Sequence, residues 1–140
     1  MALFSQLPMP GTLLVCVVIG AVLVYVPFLL VGIARLQLGY DMSAPRMMTD
    51  KMPPYAQRAN WAHQNSFESF ALFAPAALMA YVTGQASQLA LSAAIAYVIA
   101  RSLYSVFYIL DIPLLRSVMF AVGSLSIFTL FLMSCQSVLF

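Results

Sequence analysis

The chain has 140 residues, 64% of them hydrophobic and only 7% charged, with a formal net charge of +2 at pH 7. So few charges, with no basic tract, exclude a nucleic-acid binder that tracks a phosphate backbone, and the long apolar runs exclude a water-soluble globule. The composition predicts an all-α integral membrane protein in a single domain, residues 1–140, as a membrane four-helix bundle with spanning helices at about 12–38, 57–84, 88–109 and 113–138.

The first helix is predicted to follow Pro8 and Pro10, with Thr12 as its cap. No basic lead-in precedes it, and its apolar run is longer than the core of a signal peptide, so it is expected to remain as a spanning segment. Pro27 is predicted to bend it near the middle, and Gly20 and Gly32 on either side offer close helix contact. Residues 39–57 contain Gly39, Pro45, Pro53 and Pro54 and no sustained helical pattern, which predicts an extended loop long enough to cover a site.

The second helix is polar at its start, where Arg58, His63, Asn65 and Glu68 fall, and cleanly apolar only from Phe70 to Val82. The short turn Thr83-Gly84-Gln85-Ala86-Ser87 makes the second and third helices antiparallel neighbours. A second tight turn at Asp111-Ile112-Pro113 follows the third helix, with Asp111 placed to cap the fourth and Pro113 in its first turn. Cys16 and Cys135 both fall toward the outer ends of their helices, at similar depth, and read as inert thiols. Arg35, Arg46, Lys51 and Arg58 surround the first connection, and Arg101 and Arg116 approach the third, which places both connections in the cytoplasm and both termini outside.

Ionisable groups at membrane depth are costly and need water or partners. At 100° per residue, Arg58 falls about 20° from Asn65, Trp61 about 40° away and Glu68 about 60° away on the Trp61 side, so the four share one helix face. Gln64 lies at the border of that face, and His63 points about 160° from Asn65, which makes it an interfacial hydrogen-bonding residue. On the third helix Arg101, Tyr104 and Tyr108 form a stripe, and Arg116 and Ser117 begin the fourth helix at the same membrane side. The structural reading is that Glu68 pairs with an arginine and Asn65 bonds across the bundle, although such buried pairs add little net stability. The functional reading starts from the arginine surplus over one carboxylate, which calls for a small anionic ligand held by guanidinium forks. One histidine and two separated cysteines do not make a metal shell, so no metal site is expected.

The stretch Arg58-Ala59-Asn60-Trp61-Ala62-His63-Gln64-Asn65-Ser66-Phe67-Glu68, with Phe70-Ala71-Leu72-Phe73 after it, resembles the most specific motif of the MAPEG family, the membrane-associated proteins in eicosanoid and glutathione metabolism. Arg101-x2-Tyr104-x3-Tyr108 and Arg116-Ser117 resemble its second conserved region. The resemblance implies a homotrimer that binds glutathione between neighbouring subunits near the cytoplasmic face. It further implies a glutathione-dependent transferase or peroxidase acting on hydrophobic small molecules or lipid hydroperoxides, like the microsomal glutathione transferases. By the same resemblance Arg35, Arg58, Asn65, Glu68, Arg101, Tyr104, Tyr108 and Arg116 line the glutathione site, with Arg116, Ser117 and Tyr108 at the sulfur. Its prokaryotic character implies the bacterial inner membrane. The alternative is a non-enzymatic lipid-binding or scaffold protein on the same fold. A channel or transporter fits less well, because the polar residues gather at one side of the membrane rather than along its depth.

Overall fold

The structure, a computed structural model, describes residues 11–139. Four long α-helices run in chain order: α1 Gly11–Gln37, α2 Pro54–Val82, α3 Gln88–Ile109 and α4 Pro113–Leu139. Pro8 and Pro10 lie outside the described residues, and Thr12 sits inside the first turn of α1 rather than before it. α2 contacts each of the other three helices, and the largest interfaces join α1 to α2 and α3 to α4.

Three helices, α1, α3 and α4, are long and apolar enough to cross a membrane. α2 is not among them, although its 29 residues give it a length of roughly 43 Å. The cause is the polar first half already evident in the sequence, and the consequence is that α2 needs protein cover more than its neighbours do.

Two apolar clusters hold the helices together. The larger combines Leu13 and Cys16 of α1 with Phe73, Ala76, Ala77 and Ala80 of α2, Tyr97 of α3 and Leu130 of α4. The smaller, nearer the long connection, contains Val31, Ala34, Met52, Ala56 and Ala59. Gly20 faces Phe70, whose ring would stand 3.2 Å from a β-carbon added there, so this glycine does permit close approach, whereas Gly32 faces open space. Both cysteines are free, Cys16 buried and Cys135 exposed.

Pro27 has no amide hydrogen to give the Leu23 carbonyl, and the turn around it is stabilised from outside. His63 Nδ1 lies 2.7 Å from the Val24 carbonyl oxygen. A carbonyl can only accept, so Nδ1 carries the proton. The imidazole ring is held beside Tyr25 and Phe28, with centroids 5.8 and 4.8 Å away. His63 is therefore an interhelical hydrogen-bonding residue turned away from Asn65, as its helical angle predicts.

The first connection is more ordered than an extended loop. Residues Pro45–Lys51 form a 3₁₀ helix, Met48 and Met52 are buried, and α2 already begins at Pro54. The sequence pattern hides this because a 3₁₀ helix has no 3.6-residue repeat and its stability comes from the two methionines. Before it, Asp41 Oδ1 accepts from the Ser43 amide at 2.9 Å and hydroxyl at 2.6 Å, bonds that hold its carboxyl below the ordinary carboxylate range.

The two short turns share one device. Gly84 (φ 67°) and Asp111 (φ 61°) both adopt the left-handed conformation, with paired backbone bonds that close α2 and α3 in Schellman motifs. Asp111 thus terminates α3, and its carboxylate turns to Arg58 at 3.7 Å instead of capping α4.

Candidate functional site

Arg101 is the centre of the polar region. It projects from α3 and is 2% exposed, and one of its terminal nitrogens, Nη2, donates to Asn65 Oδ1 and to Ser66 Oγ, each at 3.1 Å. Its guanidinium carbon lies 4.1 Å from the centre of the Tyr104 ring. Nε is buried without a partner among the described residues. Burying a guanidinium is costly, and neutral amide, hydroxyl and aromatic contacts offset that cost only in part.

From Arg101 the contacts continue toward the α3–α4 turn. Tyr104 meets Tyr108 edge to face at 5.5 Å, and the Arg116 guanidinium lies 4.6 Å from the Tyr108 ring centre. Two guanidinium groups therefore bracket two phenols, with no carboxylate bound to either. Among the described residues, the ion pair Arg58–Asp111 is the only one. Ser117 is exposed, and its hydroxyl donates to the Pro113 carbonyl at 3.0 Å, so its proton is engaged within α4 and only its lone pairs remain for a ligand.

A second polar region lies on the opposite side of α2. A cavity of about 610 Å³ opens between α1, α2 and the 3₁₀ segment, lined by Arg35, Arg46, Asn60, Trp61 and Gln64 among others. Arg35 is 8% exposed, stacks against Phe28 at 5.7 Å, and has a buried Nε without a partner among the described residues. Asn60 is buried as well, and its side chain makes no hydrogen bond to any described residue. The cavity falls within the size range of small-molecule sites and carries two cations with amide groups between them.

The MAPEG family model matches residues 12–135, nearly the whole chain. The chain belongs to the MAPEG family. No curated protein and no solved structure gave a significant match.

The remaining members of the set inferred from the MAPEG resemblance lie apart from these two regions. Arg58 Nε donates to the Ile109 carbonyl at 3.0 Å, and its Nη1 reaches Asp111. It fastens the start of α2 to the end of α3, where a cation also offsets the helix dipole. Glu68 is exposed, and its carboxylate has neither a hydrogen bond nor an ion pair with any described residue.

Within one chain, then, the structure brings together Asn65, Arg101, Tyr104, Tyr108 and Arg116. Arg35 sits in the α1–α2 cavity, and Arg58 serves the α3 terminus. The division follows from α2 being packed on both sides: Gln64 stands about 100° from Asn65 and about 160° from Ser66, so a single concavity cannot receive all of them. Sequence reasoning did not select Ser66, Asn60, Trp61, Gln64 or Arg46 for a ligand site. Asn60 and Gln64 form an i, i+4 amide pair that marks a second polar face, whereas nothing in the sequence distinguishes Ser66 from its neighbours.

Proposed function

We propose that this MAPEG protein is a glutathione-dependent membrane transferase or peroxidase acting on hydrophobic electrophiles or lipid hydroperoxides. The observation that carries the reading is the set of four arginines, Arg35, Arg46, Arg101 and Arg116, that have no carboxylate partner among the described residues. A tripeptide with two carboxylates and a thiol supplies the missing anionic groups.

The ligand site is completed between copies in a homotrimer. α2 is too polar to face lipid around its whole circumference, and exposed Glu68, Gln64 and Trp61 require cover. A neighbouring copy provides it, so that the α1–α2 cavity of one subunit meets the Arg101–Arg116 stripe of another. The clustered cations at the first and third connections support a site at the cytoplasmic face, and in this reading the membrane is a bacterial inner membrane.

In this reading Arg35 and Arg101 take the ligand carboxylates, Asn65 and Glu68 meet its amide and amino groups, and Arg116 lies at the sulfur with Tyr108. The chemical task is to favour thiolate over thiol. Lowering a thiol from about 8.5 by two units takes about 2.7 kcal/mol, and a guanidinium at 4 Å in a partly dry site supplies about 4 kcal/mol. The thiolate attacks an electrophilic carbon, forming the C–S bond as the leaving group departs with its electron pair. With a hydroperoxide it attacks the terminal oxygen instead, the O–O bond breaks, and the alkoxide takes a proton from Tyr108 or water. A second thiol then reduces the sulfenic acid to disulfide and water.

Isothermal titration of the purified oligomer in lipid tests the cofactor. Saturable glutathione binding at millimolar concentration or below is expected, and Arg116→Ala should slow conjugation of an aromatic halide far more than it weakens binding. Absence of binding removes glutathione from the proposal. Lipid co-purification without turnover would instead favour the lipid-binding or scaffold role.

A further inference from the structure

A second cavity lies on the other side of α3, away from every arginine discussed above. It measures about 540 Å³ and is walled by Pro27, Leu30 and Ile33 of α1 and Ser105, Val106 and Ile109 of α3. On α3 this face stands roughly 120° from the Arg101, Tyr104 and Tyr108 stripe, so the two sites are separate. Both walls belong to helices apolar enough to span a membrane, so the groove lies on a surface suited to hydrocarbon.

Its aliphatic lining contains one unexplained polar group. Among the described residues four serines are buried: Ser66, Ser105, Ser126 and Ser134. Ser66 accepts from Arg101, while Ser126 and Ser134 donate to the carbonyls of Val122 and Leu130 in their own helix. Ser105 is 7% exposed, and its hydroxyl has no hydrogen-bond partner among the described residues. Its neighbour in the groove, Ser102, has its hydroxyl engaged with Val98. On the facing wall, Leu23 and Pro27 both line the groove, and Pro27 has no N–H for the Leu23 carbonyl. An unsatisfied hydroxyl in an otherwise aliphatic groove suits an occupant that is apolar along its length and carries an O–H partway.

We propose that the α1–α3 groove binds an acyl chain bearing a hydroxyl or hydroperoxyl group, with Ser105 as the residue that recognises the oxygen. The Ser105 hydroxyl is both donor and acceptor, so an O–H group satisfies what a plain methylene chain leaves unsatisfied. The groove is a binding site in its own right and does not depend on the thiol chemistry at the stripe.

The test measures displacement of a fluorescent fatty acid from the full-length oligomer in nanodiscs by stearate and by a mid-chain hydroxystearate. The shared carboxylate cancels any contribution from the arginines. Wild type is expected to bind the hydroxylated chain about fivefold to tenfold more tightly, as one added hydrogen bond implies. Ser105→Ala should abolish the preference, Ser105→Thr should retain it, and Val106→Trp, which fills the groove, should lose both chains while glutathione binding and oligomer size persist. Equal binding of the two chains by wild type, a preference that survives Ser105→Ala, or binding unaffected by Val106→Trp each overturns the proposal and leaves ordinary boundary lipid. Subunit cross-linking between cysteines placed at Leu30 and Val106 also overturns it, by showing that a second copy covers the groove.

Discussion

At the end of the helices farthest from the long connection, α2 and α3 meet through alanines, Ala76, Ala77 and Ala80 against Ala90 and Ala94, and Phe73 stacks on Tyr97 with centroids 3.7 Å apart. At the other end the same two helices are joined by Arg101 to Asn65 and Ser66. The first region is held by close contact of small side chains, the usual basis of helix association where lipid removes the hydrophobic driving force. The second keeps a buried cation that its neighbours satisfy incompletely. That difference separates the part of the protein that maintains the fold from the part proposed to hold a ligand, and it can be broken in a graded way.

The largest effect is expected at Phe73. Phe73→Ala opens a cavity beneath Tyr97 and should cost about 3–5 kcal/mol in reversible unfolding in mixed micelles. Next is Arg101→Met. Replacing a buried cation by an apolar side chain of similar length should leave unfolding within about 1 kcal/mol of wild type. Glutathione affinity should nevertheless fall by about 2 kcal/mol, roughly thirtyfold, read by titration. If Arg101→Met destabilises as strongly as Phe73→Ala, the two regions do not differ in kind.

Arg116→Ala should lower the conjugation rate about twentyfold at neutral pH, because a ligand thiol near 8.5 is mostly protonated there. The deficit should shrink toward pH 9, where the thiol ionises unaided. A deficit independent of pH would assign Arg116 to binding alone.

The smallest effect concerns the α3–α4 turn. Asp111 holds a left-handed conformation that costs a non-glycine residue about 1 kcal/mol, and its ion pair with Arg58 is mostly exposed and worth little. Asp111→Gly should therefore leave stability nearly unchanged, since relief of strain offsets loss of the pair. Asp111→Ala, which keeps the strain and loses the pair, should cost up to about 1 kcal/mol.

The helices themselves were legible because long apolar runs and the breakers Gly84 and Pro113 leave little choice of boundary. The Arg101–Tyr104–Tyr108 stripe was legible for the same reason, since it depends only on helical angle. The separation of Arg35 and Arg58 from that stripe was not, because it depends on which helix packs on each flank of α2. Asp111 shows a similar limit: its residue type suits a helix cap and a left-handed closing position equally, and only the backbone bonds of the turn decide between them. The 3₁₀ segment was missed because it rests on two buried methionines rather than on a repeat.

The central claim is that the Arg35 cavity and the Arg116 stripe become one site only when two copies meet. Co-expression of Arg35→Ala with Arg116→Ala, each strongly impaired alone at neutral pH, tests it directly through the conjugation rate of purified mixed oligomers. If the site is shared, random assembly restores about a quarter of the sites to wild-type composition and activity returns in that proportion. If mixed oligomers stay as inactive as either parent, both arginines act within one chain and the shared site does not exist.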